Sequence, residues 1–472
     1  MSSLQRPQHT FSGYHKNYLG FGIFKVLLFM LFHFQLGVLM VKLPILGTVH
    51  AYALLGAGIL TTLISKRPEH AAYFGAYLMG SEVLWRMTQA SVLWEFGKYS
   101  VVLIFFIAIL KRGVRNPGLP IFYFLLLIPS IFMHATTVID LDRHATGVID
   151  LDRSRKLISF NLSGPLALMV SVLFFSKLKL DPLQLRKLWL AALGPIISIL
   201  SIARFHTFAQ ENIQFIKASM AETSGGFGAN QVSAVLGLGA FFAFFYVMDG
   251  KQKFLEKTVI SIIGLLLAVQ SALTFSRGGL YCAGTAIALA SFFMVRNRKV
   301  WARYFFTAVI LAVIVFRFAI PYLVEFTGGK ITDRFKETQM SNRESLFADD
   351  LKVWQEHPFL GVGPGLAMYH REIYAAAHTE FSRLPAEHGL FGILSILILI
   401  RLAFVVFARA QTPRQKALTA SLIAWSFLFM VVNAMRIAAP AFIFGLASAQ
   451  FIDFNLRMPS ANRAPAIKEE KA

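Results

Sequence analysis

Apolar runs of roughly 17–22 residues recur along the chain, which is the length that a hydrocarbon core of ~30 Å demands of a helix. The runs are continuous rather than alternating, so they predict helices and not the strands of a closed barrel. The pattern gives about fourteen spans, within an expected range of about 12–14, centred on residues 18–40, 45–64, 71–90, 99–110, 119–134, 157–175, 186–203, 230–248, 258–274, 279–295, 304–323, 387–407, 417–435 and 438–454. The first run lies inside the N-terminus and keeps a lysine within a long apolar stretch, so it reads as a retained helix rather than a cleaved signal.

The loops between these runs alternate in charge. One set carries Lys66-Arg67, Lys111, Arg112 and Arg115, Lys177, Lys179, Arg186 and Lys187, Lys251, Lys253 and Lys257, Arg296, Arg298, Lys299 and Arg303, and Arg409, Arg414 and Lys416. Short basic loops face the cytoplasm. This predicts cytoplasmic tails at 1–17 and 456–472, a membrane region at 18–323, one large outer loop at 324–386 and C-terminal membrane helices at 387–455. The other loops, including 135–156, 204–229, the 274–279 turn and the turn at Arg436, face outward.

Composition fits this reading. The chain has 472 residues, 56% hydrophobic and only 15% charged, where soluble proteins carry about 25%. The formal net charge of +21 invites a nucleic-acid reading. The cations are spread over inter-helix loops and form no single stripe, so the positive-inside rule accounts for them and nucleic acid is not expected as a partner. The single cysteine, Cys282, excludes a disulfide within the chain and any cysteine-based metal cluster.

The 324–386 loop is too long for a plain connection. Within it, Leu346, Phe347, Leu351 and Trp354 have helical spacing, so residues 341–355 predict an amphipathic helix lying on the bundle. Pro358 ends it, and Gly361, Gly363, Pro364 and Gly365 form a tight turn. An imperfect tandem repeat, 134–143 and 144–153, supplies Asp140/Asp142 and Asp150/Asp152. Asp-x-Asp pairs can hold a divalent cation against a diphosphate; a slipped duplication in a tolerant loop is the plainer reading here.

Polar groups at span ends need a reason, because unpaired charge in lipid is expensive. Arg277 sits in a Ser-Arg-Gly-Gly turn, and its guanidinium fork matches phosphate oxygens two at a time. An arginine reaching up to the headgroups is the plainer alternative. Arg204 ends another span on the same outer side, where a second arginine would hold the other half of a diphosphate. His378 closes the outer loop, and an imidazole there can serve as a general base or simply bond a carbonyl. His370 and His388 share that claim in principle, and His357 before Pro358 looks structural. Glu82 and Arg86 are spaced as an ion pair within the third run; Arg86, with Arg343 and Arg371 on the outer loop, is a secondary candidate beside a diphosphate. No histidine pair has zinc spacing, so no metal is expected.

These features together resemble the O-antigen ligase/polymerase superfamily. The resemblance rests on Ser276-Arg277-Gly278-Gly279, on Asn342-Arg343, and on the run from Trp354 through His357-Pro358-Phe359-Leu360-Gly361-Val362-Gly363-Pro364-Gly365. His378 with Gly389 and Gly392, and the upstream Gly228-Ala229-Asn230-Gln231, complete it; the strong part covers about residues 225–400. Thr379 stands where ligases more often have an amide or serine, and no threonine pair follows Gly392.

The resemblance implies an all-α polytopic membrane bundle of the C-type glycosyltransferase architecture, located in a bacterial inner membrane with both termini cytoplasmic and a periplasmic active site. It implies an undecaprenyl-diphosphate-linked glycan as donor and lipid A–core or a second lipid-linked glycan as acceptor, with membrane lipids around it and no cofactor. His378 matches the family's proposed base and Arg277 an essential arginine; Arg204 matches a second arginine by its place at a span end. The implied reaction is a metal-independent inverting transfer. Ligase is the first expectation, polymerase the second. A lipid-linked glycan transporter is the rival from another class, but a transporter wants paired halves and a midplane cavity, which the pattern lacks.

Overall fold

The computed structural model describes residues 22–135, 151–209, 213–248, 252–295, 312–337, 343–372 and 374–452, with isolated positions between 302 and 310. It is an all-α bundle. The helices that matter below are α1 (Ile23–Lys42), α2 (Ile45–Ile64), α3 (Glu69–Met87), α4 (Phe96–Arg112), α5 (Gly118–Leu125), α6 (Leu151–Phe175), α7 (Pro182–Phe208), α8 (Ala229–Met248), α9 (Phe254–Leu273) and α10 (Arg277–Val295). They are followed by α11 (Ile320–Phe326), α12 (Lys330–Lys336), α13 (Arg343–Glu356), α14 (Glu380–Ala408), α15 (Pro413–Asn433) and α16 (Ala439–Ala447).

Ten helices among the described residues are long and apolar enough to cross a membrane, and eleven if the bent pair 312–326 and 330–336 is one broken span. That is fewer than the apolar runs predicted, and the difference has local causes. α3 is long enough but carries Ser81, Glu82 and Arg86, because it is buried in the bundle rather than facing lipid. α4 has 17 residues. The expected last span, 438–454, is a correction. Only the 9 residues of α16 are helical there; the chain then extends as Gln450–Phe451 (β2) and pairs in parallel with Lys179–Leu180 (β1). At about 1.5 Å per residue such a helix cannot span alone.

The two ends of the bundle are distinct. At one, the basic loops meet: Lys111 Nζ donates to the carbonyls of Thr62 and Leu63 at 2.7 and 2.6 Å, capping α2, and Lys177 bonds the carbonyl of Arg112. This is the end that the loop charges predict to be cytoplasmic. At the opposite end, Met220 N donates to Thr274 O and Gln270 Nε2 to Thr223 O, laying the loop after α7 over α9.

Small residues let the central helices touch. A Cβ on Gly279 would stand 2.1 Å from Ser233 O, and one on Gly237 would stand 2.4 Å from Gly279 O. Apolar side chains gain little from association in lipid, so close backbone approach of this kind carries helix packing. It also fixes the first turn of α10, where Arg277 stands.

In the outer region α13 forms where the spacing predicts a helix, but its buried face is Leu346, Asp349, Asp350 and Val353, while Phe347 of the expected apolar face is 44% exposed. α14 is two helices joined at Gly389, whose φ of 57° and ψ of −135° break the helix. Gly392 then lies so close under Leu384 that a Cβ would be 2.0 Å from its carbonyl oxygen. The two glycines therefore allow a sharp fold-back between an outer helix ending at His388 and a membrane helix beginning after it. The Asp-x-Asp candidates Asp140, Asp142 and Asp150 lie outside the described residues. Asp152 is exposed and paired with Arg155 and Lys156 at 2.7 and 2.5 Å.

Gly279→Ala is expected to lower stability by about 1–3 kcal/mol through overpacking. Gly284→Ala on the same helix, where nothing lies within 4 Å, should be neutral or mildly stabilising. Thermal unfolding of the two variants in detergent compares them, and equal effects would remove the packing role assigned to Gly279.

Candidate functional site

The site is built around the turn between α15 and α16, residues 434–438. This turn is buried between helices, and Ala434 adopts a φ of 49°, an uncommon value for a residue with a Cβ. Charged groups satisfy its backbone. Met435 N donates to Glu380 Oε2 at 3.3 Å, and Ala438 N donates to Glu82 Oε2 at 2.5 Å. Arg86 Nη1 donates to the carbonyl of Arg436 at 3.2 Å.

The same turn pins the segment that carries His378. Arg436 Nη2 donates to the carbonyls of Ala376 and Ala377 at 2.9 and 2.7 Å, and Ala434 N donates to His378 O at 3.0 Å. Thr379 then caps α14, its side chain accepting from Phe381 N at 3.2 Å. His378 is thus the residue before an N-cap, held on both sides, and it is half-buried.

Arg277 stands at the same end. Gly278 beside it lies against Val432, 3.3 Å from an added Cβ to Cγ2, and Val432 is two residues before Ala434. The preceding turn is tied to the Gly-Ala-Asn-Gln stretch: Ser276 Oγ donates to Asn230 Oδ1 at 2.8 Å, and Gln231 Oε1 accepts from Arg86 Nη1 at 2.7 Å. The first turn of α8 therefore bridges the Arg86 end of α3 to the Arg277 turn. Arg277 also bonds the carbonyl of Glu337, just past α12, and Arg334 Nε reaches the carbonyl of Phe275 at 3.1 Å.

Arg86 and Arg371 are committed elsewhere. Arg86 pairs with Glu82 at 2.6 Å, bonds the Trp94 carbonyl at 3.0 Å and lies 4.6 Å over the Trp94 ring. With Gln231 and the Arg436 carbonyl also bound, it shapes the site rather than offering a fork to a ligand. Arg371 is buried and paired with Asp350 through Nη2 at 2.5 Å and Nε at 2.7 Å, which ties the Ala375 region to α13. Arg204 lies half-buried 5.0 Å over the ring of Phe208 on its own helix, and no described contact joins it to Arg277 or His378. Arg343 opens α13, and its side chain lies outside the described residues. His388 is an interhelical contact, Nδ1 to Ser130 Oγ at 2.5 Å, and His357 and His370 have ring centroids 5.6 Å apart. Burial lowers the pKa of His370, with His357 adding to the effect.

Sequence reasoning missed a second group beside the turn. On the outer half of α14, Arg383 pairs with Glu380 and Glu387, each at 2.5 Å, and bonds the carbonyl of Asn161 on α6 at 3.2 Å. All three charges are nearly inaccessible. Their i, i+3, i+7 spacing on one face was visible, but its burial was not. They border a cleft of about 50 Å³ that Asn161, Arg371, Ala434 and Arg436 also line, room for a few waters rather than a sugar ring. A larger cavity of about 480 Å³ is walled by mostly apolar residues of α9, α10, α11 and α12, with Leu280 from the start of α10 and Lys336 among its lining.

Residues 260–397 match a family model described as O-Antigen ligase. The match includes Arg277, the apolar cavity, the outer region, His378, Gly389 and Gly392. No curated protein matches the chain.

Removing Arg383 leaves two buried carboxylates without their cation. Arg383→Met is expected to cost about 3–5 kcal/mol, read as loss of thermal stability in detergent. A loss below about 1 kcal/mol, the range of exposed pairs, would mean the cluster is solvated and does not hold α14 to α6.

Proposed function

We propose, from the match of residues 260–397 to the O-antigen ligase family model, that this chain is a membrane glycosyltransferase acting on lipid-linked glycans and that it moves a glycan from undecaprenyl diphosphate to a sugar hydroxyl of lipid A–core. The transfer takes place at the outer, periplasmic face of a bacterial inner membrane. What carries the reading is one juxtaposition inside the matched domain. The half-buried His378 and the Arg277 turn stand at the same end of the bundle, and the helix that Arg277 opens contributes Leu280 to the wall of an apolar cavity of about 480 Å³.

In this mechanism the polyprenyl tail occupies the apolar cavity, and its diphosphate rises to Arg277, with Lys336 beside it and Arg204 as the second arginine. The leaving diphosphate gains negative charge as the glycosidic bond breaks. Cations fixed in place before reaction stabilise that charge more in the transition state than in the ground state. His378 accepts the proton of the acceptor hydroxyl as that oxygen attacks the anomeric carbon from the face opposite the diphosphate. One displacement inverts the anomeric centre and calls for no nucleotide and no metal. Pinning of Ala376 and Ala377 by Arg436 and of His378 by Ala434 N keeps the imidazole at the approach of the acceptor. A polymerase would use the same residues and differ in taking a second lipid-linked repeat as acceptor.

The test is a reconstituted reaction of purified protein, lipid-linked glycan and lipid A–core. His378→Ala should lower transfer by about 10²–10⁴-fold, the usual contribution of a general base, with insertion and thermal stability retained. Near-normal transfer by this variant would reject the base. Arg277→Lys should also be strongly impaired, because an ammonium cannot make the two-point contact. Transfer should survive a chelator of divalent ions; abolition by the chelator and rescue by a metal would overturn the metal-independent mechanism.

A further inference from the structure

The opposite end of the bundle holds a cavity that the transfer reaction does not use. It measures about 540 Å³ and lies where α14 ends, between the start of α15 and the β1–β2 pair. Three cations from three separate segments line it: Arg115 between α4 and α5, Lys179 on β1, and Arg409 at the C-cap of α14. No acidic side chain is among the described residues that line it. None of the three cations has a hydrogen-bond or ion-pair partner among the described residues. Ser448 also lines the cavity; it is 7% exposed, and its hydroxyl has no partner.

We propose that this cavity binds the phosphodiester headgroup of an anionic phospholipid from the cytoplasmic leaflet. A basic loop that only sets topology needs its charges near the membrane, with no particular convergence. Here the cations converge on one recess, and a buried hydroxyl waits at its wall. Like charges held together without a carboxylate repel one another, and an anion relieves that repulsion. The apolar part of the lining decides for a lipid over a free phosphate. Arg409 is the residue at which a long apolar helix stops, and the wall continues into Val406, Phe451 and Ile452. The recess therefore sits at the boundary of headgroup and acyl chain, where basic pockets between helices take anionic lipids. A headgroup there would tie α14 to the β1–β2 pair at the end opposite His378.

The experiment titrates the full chain in detergent with phosphatidylglycerol, phosphatidylcholine or inorganic phosphate and counts bound ligand by native mass spectrometry. The wild type should prefer phosphatidylglycerol over phosphatidylcholine and show no displacement by inorganic phosphate. Arg409→Gln and Lys179→Gln should each weaken phosphatidylglycerol binding about fivefold. Lys66→Gln, on a basic loop outside the cavity, should change it less than about twofold. Ser448→Ala removes only a hydroxyl and gives a second variant should a charge change disturb folding; its expected loss is about threefold. Equal losses for Lys66→Gln and the cavity variants, or no preference over phosphatidylcholine, would overturn the site. Displacement by inorganic phosphate would assign the cavity to a free anion instead of a lipid. The catalytic variants above leave this readout unchanged, so failure here is distinguishable from failure of the transfer reaction.

Discussion

A turn sunk between membrane helices leaves peptide groups that water cannot reach, and each group left unsatisfied in such a place costs several kcal/mol. In this chain the turn at 434–438 meets that requirement with charged side chains. Glu380 and Glu82 accept two of its N–H groups, and Arg86 donates to one of its carbonyls. Bonds of this type to ionised groups contribute about 1.5–3 kcal/mol each. The arrangement works in both directions, because the same bonds give buried Glu82, Arg86 and Glu380 partners that lipid would not supply. Arg436 then extends the network outward to the carbonyls of Ala376 and Ala377. The position of His378 is a consequence of how a buried turn is kept hydrogen-bonded.

Glycine supplies the second constraint, and it acts only where backbones meet. Gly361, Gly363 and Gly365 all have positive φ, and each faces backbone or a packed side chain from another element: Glu387, His134 and Asn161 respectively. They let the outer loop lie flat on the outer half of α14, with Val362 N and Gly363 N donating to the carbonyls of Ala386 and Glu387 at 3.1 and 3.0 Å. Gly389 and Gly392 then turn α14 into the membrane. The residue run that resembled a family signature is therefore a set of backbone approaches which orient the helix that follows His378. Thr379 fits the same logic. Threonine, serine and asparagine share N-cap chemistry, so the departure at this position keeps the start of α14 intact.

Much of this was legible in the sequence because it depends on local pattern. Apolar runs gave the helices, loop charge gave two ends, and spacing gave the helix at Arg343–Glu356. The Glu82–Arg86 pair was visible as an i, i+4 spacing and is present at 2.6 Å. What local pattern could not give was the third partner, since the Arg436 carbonyl lies 350 residues away. Arg436 itself read as a turn residue for the same reason. The last apolar run misled because hydropathy does not separate a segment buried among helices from one facing lipid. α16 is enclosed on all sides, and its exit is set by pairing with β1, a contact more than two hundred residues distant in sequence. Arg204 shows a limit of another kind: its span-end position was legible, while the placement of its guanidinium over Phe208 was not, because position alone says nothing about direction.

The matched domain, residues 260–397, contains the proposed base and the proposed diphosphate arginine but few of the groups that hold them. Glu82 and Arg86 lie in α3, Asn161 in α6, Asn230 and Gln231 in α8, and Arg436 beyond α15, all outside it. Two of these, Arg86 and Gln231, bond each other across 145 residues. A membrane bundle can accept many apolar sequences along lipid-facing surfaces, since Leu, Ile, Val and Phe serve there almost interchangeably. The polar contacts that fix the domain are few and cannot be exchanged so freely. The sequence likeness covers the part that holds the proposed base and arginine, while the rest of the chain contributes a handful of buried polar residues that fix it.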